Sequence, residues 1–330
     1  MLKAIKDRFN AEILAKAAAR YGVDPGVMQV RDGFESFIYE FNQMDDRRIL
    51  RISHSSRRGE NMIRGEVDWI KYLAEGGVSV AQAAVSQNGE LVEPLDDGHG
   101  EHFLAVSFHY APGVPPWELG WSTELFHSYG RLLGCMHALS KGYLVPEPAW
   151  KRPEWNAPIM LEIVDYLPPD QPAILDHHDA LMERLDALPR DAGGYGLIHQ
   201  DAHGGNMHVD SDGRITLFDF DDCVYSWFIY DIAMVVFYMI VNVEDPDSLA
   251  RSFLPHFMDG YFQETTLDTA WFAYIPDFLK LREIDLYSAI HRSFDLEHLD
   301  NPWVARFMAG RRERLEKGWP FVDIDFTKFV

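Results

Sequence analysis

The residues with most to offer chemically lie in two short runs. His199-Gln-Asp201-Ala-His203-Gly-Gly-Asn206 is followed, beyond a turn at Asp212-Gly213, by Leu217-Phe-Asp219-Phe-Asp221-Asp222. Asp201 and Asp219 supply carboxylates, and Asn206, five residues after Asp201, supplies a neutral amide oxygen. These are hard oxygen donors of the kind that hold Mg2+. A chemistry that asks for such a set is phosphoryl transfer, in which the protein chiefly positions the reactants and neutralises phosphate charge. Asp221 is a weaker candidate for a second metal or for substrate, and Asp222 reads equally well as a solvated turn residue. The competing chemistry is metal-dependent hydrolysis, since His199, Asp201, His203 and His208 with Asp219 imitate a His/Asp metal cluster. That reading leaves Asn206 idle and does not explain an inward glutamate upstream.

That glutamate is Glu66. In Arg48-Ile-Leu-Arg51-Ile-Ser53, strand alternation puts Ile49 and Arg51 on one face and Leu50 and Ile52 on the other. On the helix that follows, Glu66 lies three residues after Ile63 and four before Ile70, which turns its carboxylate onto the apolar face. A carboxylate facing inward is costly unless it meets a cation. Arg51 is the natural partner, and the alternative is a glutamate that reaches solvent at the edge of the stripe.

The elements that must position these groups follow from periodicity. Residues 1–21 read as one amphipathic helix. Residues 28–41 alternate around Gly33 as paired strands would, with a turn over 42–46 and a strand over 48–53. A helix over 58–75 is stopped by Gly76-Gly77, and three more strands are expected within 78–84, 89–95 and 103–110. The Pro-rich stretch 111–116 is a plausible hinge. Beyond it the pattern is helical over 123–140, 179–187, 229–241 and 247–315, interrupted by a short β region within 197–220.

The two acidic runs are similar to the catalytic and metal-binding loops of the aminoglycoside phosphotransferase family, the choline kinase-like phosphotransferase enzymes, which read His-Gly-Asp-x-His-x-x-Asn and then Asp-Phe-Asp or similar. Gln200 departs from the usual Gly. The resemblance runs from Gly33 to the helices near His291. It implies an α+β, two-lobed protein-kinase-like fold: a small antiparallel β lobe with one internal helix, residues 1–110, and a larger mainly helical lobe, residues 111–330, that carries the catalytic and metal loops and the acceptor site. The implied activity is transfer of the γ-phosphate of Mg-ATP to a hydroxyl of a small molecule (an aminoglycoside, homoserine, choline or a sugar), with ATP and Mg2+ as cofactors. The same resemblance admits two alternatives, a nucleotide-binding regulatory protein with little turnover and a protein serine/threonine kinase. The presence of Asp201 favours an enzyme.

On this resemblance Asp201 would accept a hydrogen bond from the attacking hydroxyl, His203 would donate to phosphate or shape the loop, and Asn206 and Asp219 would ligate the metal. Arg51, held by Glu66, would meet the α- and β-phosphates, although protein kinases place Lys there. In the nucleotide loop Arg31-Asp-Gly33-Phe-Glu-Ser36-Phe, Gly33 would make the turn and Ser36 would contact phosphate. Backbone groups of Phe108, His109 and Tyr110 would meet adenine. Asp231 would brace the catalytic loop, residues 145–158 would form an insertion over the large lobe, and Glu283, Asp285 and Tyr287 would meet the acceptor, unless they belong to a solvated helix face.

Composition narrows the partners. The chain has 330 residues, 52 acidic against 30 basic, for a net charge of −22. That balance argues against nucleic acid and anionic membrane, both of which reward basic patches. It tilts slightly toward a cationic acceptor. Two cysteines without metal spacing point to a cytoplasmic compartment.

Overall fold

A computed structural model describes residues 3–33 and 35–329. In chain order the first elements are α1 (Lys3–Lys6), α2 (Ala11–Arg20), β1 (Gln29–Arg31), β2 (Phe37–Gln43), β3 (Asp46–His54), α3 (Glu60–Glu75), β4 (Ala83–Ala84), β5 (Glu93–Asp96) and β6 (His102–His109). There follow α4 (Pro116–Leu119), α5 (Thr123–Ser140), α6 (Pro158–Leu161), α7 (Pro172–Asp186), β7 (Tyr195–Ile198), β8 (Met207–Val209), β9 (Ile215–Leu217) and β10 (Val224–Trp227). The remainder is helical: α8 (Phe228–Ile240), α9 (Pro246–Glu264), α10 (Ile275–Ser293), α11 (Pro302–Met308) and α12 (Arg311–Glu316).

The chain divides into two compact units. The first runs to Val114 and takes back two later segments, Tyr143–Arg152 and Met207–Asp221. Its antiparallel sheet has the order β1-β2-β3-β6-β4, with β5 also paired to β6. In the centre, Arg51 pairs with Ile38 on β2 and Val106 on β6. Leu50 and Ile52 point the other way, into a core with Phe41, Phe103 and Tyr21. The β8–β9 hairpin belongs to this unit, with Leu217 and Val209 bridged to Val80 and Val114.

Two expectations change here. The N-terminal helix is broken in two, because Asn10 Oδ1 caps α2 by accepting from the N–H groups of Glu12 and Ile13. Arg8, in the break, donates to Asp97 Oδ2 (2.9 Å) and Glu101 Oε2 (2.7 Å), so these acids near His54 already hold a cation. Residues 145–152 pack on α3 within the first unit, and residues 153–158 fall in the second. The buried Arg152 donates to the carbonyls of Met62 and Asp221.

The second unit comprises Pro115–Gly142, Pro153–Asn206 and the chain from Asp222 onward. Its largest helix pairing is α5 on α9. A side chain at Gly130 would place its Cβ 1.7 Å from the Phe257 carbonyl oxygen, and one at Gly260 would reach 2.1 Å from that of His127. Glycine at both positions therefore sets how closely the two helices approach. The near-continuous apolar run of α8 is buried along almost its whole length, and β7 pairs with β10 beside it. No helix among the described residues is long and apolar enough to cross a membrane.

Candidate active site

In the second unit the loop after β7 carries Asp201, His203 and Asn206. Its shape is imposed from α8. Asp231, fully buried in the first turn of that helix, accepts from the N–H of His199 at Oδ2 (2.9 Å) and from the N–H of Gln200 at Oδ1 (2.6 Å). His137 of α5 lies 3.1 Å from the same Oδ2, and burial lowers the pKa of its imidazole. Two backbone donors that would otherwise be orphaned in the interior are thus satisfied by one carboxylate. Gln200 adopts φ 70°, in the left-handed region that a glycine would occupy without strain.

The loop holds Asp201 with three side chains. Arg282 of α10 donates to Oδ1 at 2.6 Å, and Asn206 Nδ2 donates to Oδ2 at 3.1 Å and to the Asp201 carbonyl at 2.9 Å. His203 Nδ1 accepts from the N–H of Gly205 (2.9 Å), which leaves the proton on Nε2, 3.3 Å from Asp201 Oδ2. Burial alone would raise the Asp201 pKa, but His203 and Arg282 outweigh it and hold the carboxyl well below the usual range. Because the Asn206 amide nitrogen donates to Asp201, its Oδ1 is the atom left to act as an acceptor or ligand.

In the first unit Arg51 and Glu66 meet as both periodicities require. Nη1 and Nη2 of Arg51 donate to Oε1 and Oε2 of Glu66, each at 2.7 Å, with both side chains almost wholly buried. Asp219 Oδ1 lies 3.9 Å from Arg51 Nη1. Asp219 sits just after β9 at φ 64°, with its side chain about half exposed (54%). Asp221, two residues on, is ion-paired to Arg57.

Gly33 closes the β1–β2 loop so tightly that a Cβ there would stand 2.3 Å from the Ser36 carbonyl oxygen. At the end of β6 the N–H groups of His109 and Tyr110 are already given to the Gln82 and Arg47 carbonyls.

The model of the phosphotransferase enzyme family matches residues 26–273. The chain belongs to that family. It is 40% identical to amicoumacin kinase of Bacillus subtilis (strain 168), over 99% of this chain and 98% of that one. Its structure superposes on that of amicoumacin kinase hAmiN in complex with AMP-PNP, Ca2+ and Ami with a TM-score of 0.93 at 38% identity, covering both chains in full. A microcompartment-associated aminopropanol kinase shares the fold, with a TM-score of 0.74 at 22% identity over 93% of this chain and 97% of that one. The fold is the kinase-like α+β fold, and the protein is a small-molecule phosphotransferase.

Within this phosphotransferase the residues assigned to the acceptor separate into different environments. Glu283 is fully buried between Lys280 and Arg311, tying α10 to α12. Tyr287 is buried and donates to Gln171 Oε1 at 2.8 Å. Both have partners within the fold, as Asp221 has in Arg57. Asp285 differs: burial pushes its carboxyl up to about 6, against the opposing pull of Arg282 and His178. Arg282 and Tyr238 were not singled out by sequence. Arg282 also hydrogen-bonds the Tyr238 hydroxyl, and the Tyr238 ring lies 4.1 Å from that of His203. The available signal was the i, i+3 spacing that groups Arg282 with Asp285 on one face of α10, away from Glu283.

Proposed function

We propose that this phosphotransferase moves the γ-phosphate of ATP, with Mg2+, to a hydroxyl group of a small molecule, and that amicoumacin heads the acceptors to be tried. The observation that carries the reading is Asp201. It is an ionised, partly exposed carboxylate tethered on both oxygens at the end of a loop that a buried aspartate braces. The acceptor amicoumacin comes from the 40% identical relative.

Asp201 Oδ2 accepts a hydrogen bond from the acceptor hydroxyl and aims its oxygen at the γ-phosphorus. The new O–P bond forms as the bond from that phosphorus to the β,γ-bridging oxygen breaks, ADP leaves with that electron pair, and the hydroxyl proton passes to Asp201. So acidic a carboxyl takes the proton late, which suits a transition state with little nucleophile deprotonation. The donor set fits Mg2+: Asn206 offers a neutral amide oxygen and Asp219 a carboxylate that reaches solvent. When bound, the ion neutralises charge on the phosphates. Arg51, held in place by Glu66, offers phosphate oxygens the guanidinium N–H groups not given to that carboxylate, Ser36 and the Gly33 turn cover the nucleotide, and the backbone from Phe108 to Ala111 receives adenine. His203 steadies Asp201 in this state and turns to phosphate only when that contact is released. Two cysteines without metal-ligand spacing suit a cytoplasmic protein.

ADP release measured with Mg-ATP against amicoumacin, homoserine, choline and an aminoglycoside tests the reading. Acceptor-stimulated turnover that Asp201→Asn removes supports it. ATP consumption that no acceptor stimulates would overturn it.

A further inference from the structure

On the second unit a cavity of about 640 Å3 opens between the end of α8, the start of α9 and the α11–α12 region. Its volume lies within the roughly 300–1,000 Å3 usual for small-molecule sites. Ile240, Val241, Val243, Phe321 and Val322 form an apolar floor and sides, while Arg306, Arg311 and Arg314 supply its charge, opposed in the lining only by Glu244. In a chain of net charge −22 this concentration of cations stands apart.

Two of these three charges, those of Arg306 and Arg314, are not cancelled by their neighbours. Arg306 donates to the Asn242 carbonyl (3.3 Å), and Arg314 donates to the Pro320 (2.8 Å) and Phe321 (3.0 Å) carbonyls. Neutral carbonyls orient a guanidinium without neutralising it. Among the described residues neither arginine has a carboxylate within ion-pair distance, and the acids of α12 go elsewhere, Glu313 to Lys317 and Glu316 to Arg312. Behind the wall a single buried carboxylate, Glu283, serves both Arg311 and Lys280. Burial lowers the Lys280 pKa, Glu283 opposes this, and the charges of Arg314 and Arg311 lower it further. Four cations therefore face two carboxylates, Glu283 and Glu244. The wall is also held in place: Asn242, at φ 64°, donates from Nδ2 to the Trp303 carbonyl (3.1 Å) while its own carbonyl receives Arg306.

We infer that this cavity, none of whose lining residues belongs to the catalytic loop, binds a small molecule with an anionic head and an apolar body. The head, carboxylate or phosphate, lies between Arg306 and Arg314, both of which keep N–H donors beyond those given to carbonyls. The body lies on Val241, Val243, Phe321 and Val322. The inference does not depend on the proposed reaction, because neither arginine belongs to its machinery.

Benzoate, phenyl phosphate and benzyl alcohol share a ring and differ only in the head, so calorimetric titration of the whole protein with each at matched ionic strength separates the cases. The acids are expected to bind and the alcohol not to, and the stronger acid identifies the head. Arg306→Gln and Arg314→Gln are each expected to weaken binding about five- to tenfold, the loss of one charge-assisted contact. Arg314→Gln also frees the Pro320 and Phe321 carbonyls, so if that variant melts early the exposed Arg306→Gln alone decides. Equal binding of acid and alcohol, no binding of either acid, or unchanged affinity in Arg306→Gln would overturn the inference.

Discussion

The Arg282 guanidinium stands 2.6 Å from Asp201 Oδ1, 81 residues away in sequence, and pairs the proposed catalytic base with a cation on α10. This contact serves two purposes that can be separated. It keeps the carboxylate ionised, and it fixes Oδ1 while Asn206 and His203 hold Oδ2, the oxygen proposed to meet the acceptor. Removing it makes Asp201 a stronger base but a poorly aimed one. In Arg282→Gln the Asp201 pKa rises toward the ordinary value of about 3.9, so the acid limb of a kcat/KM profile moves to higher pH. Turnover at neutral pH falls by roughly tenfold or more through lost positioning. The same depression means that Asp201 adds to stability above its unfolded pKa of about 4, and that this contribution disappears as pH falls toward the folded value. An unchanged acid limb in Arg282→Gln would show that the pair does not set the ionisation.

The Arg51–Glu66 fork makes a different kind of prediction. Both groups are buried, so deleting one leaves the other charged and unpaired. Arg51→Met alone is expected to cost on the order of 3–5 kcal/mol, whereas Arg51→Met with Glu66→Leu recovers most of that loss. Denaturant unfolding of the single and double variants measures it. Nucleotide affinity behaves otherwise: both variants lose it, because the phosphate fork is absent in each. A double variant that regains both stability and ATP affinity would remove Arg51 from the nucleotide site.

These two pairs mark where sequence reading succeeds and where it stops. Arg51 and Glu66 were legible because each sits on a regular element whose period alone fixes its direction, and an inward carboxylate needs a cation nearby. The Asp231 brace was legible by resemblance, and the loop it holds, from His199 to Asn206, by local spacing. Arg282 was not, because its role depends on how α10 lies against the loop after β7, and no periodicity encodes that. The same limit hides the partners of Glu283 and Tyr287. They are polar on an apolar helix, but the groups that absorb them, Arg311 and Gln171, lie on segments whose placement is tertiary. The break between α1 and α2 was missed for a simpler reason: Asn10 is a strong cap, and the charged residues around it still satisfy a helical stripe.

Asp285, one turn along α10 from Arg282, is a raised carboxyl with a folded pKa of about 6. Its charged form is disfavoured in the fold, so the linkage has the opposite sign to that of Asp201. The folded state holds the proton more tightly between the unfolded pKa, about 4, and the folded one, and stability declines as pH rises through that interval. Asp285→Asn is expected to flatten this decline and to gain on the order of 1 kcal/mol at pH 7.5, measured by urea unfolding at pH 4.5, 6 and 7.5. If Asp285 also meets a cationic acceptor, the variant raises KM for that acceptor while kcat holds. A variant less stable than the wild type at pH 7.5 would show that the ionised group has a partner in the fold.

The loop brace carries the last prediction. Asp231 satisfies two backbone N–H groups with its two oxygens while Gln200, between them and the base, is held at φ 70°. Asp231→Asn keeps one acceptor and turns an amide N–H₂ toward a backbone donor, so it is expected to cost about 2–3 kcal/mol and to lower kcat without changing the pH at which activity begins. Gln200→Gly removes the left-handed penalty, about 1–2 kcal/mol, and returns roughly 0.5–1 kcal/mol of it as unfolded-state entropy. The net is a small gain in stability with activity retained, read as a rise in Tm beside an unchanged kcat/KM. Loss of activity in a stable Gln200→Gly would mean that the left-handed geometry matters less than the side chain, and that the brace works through Gln200 itself.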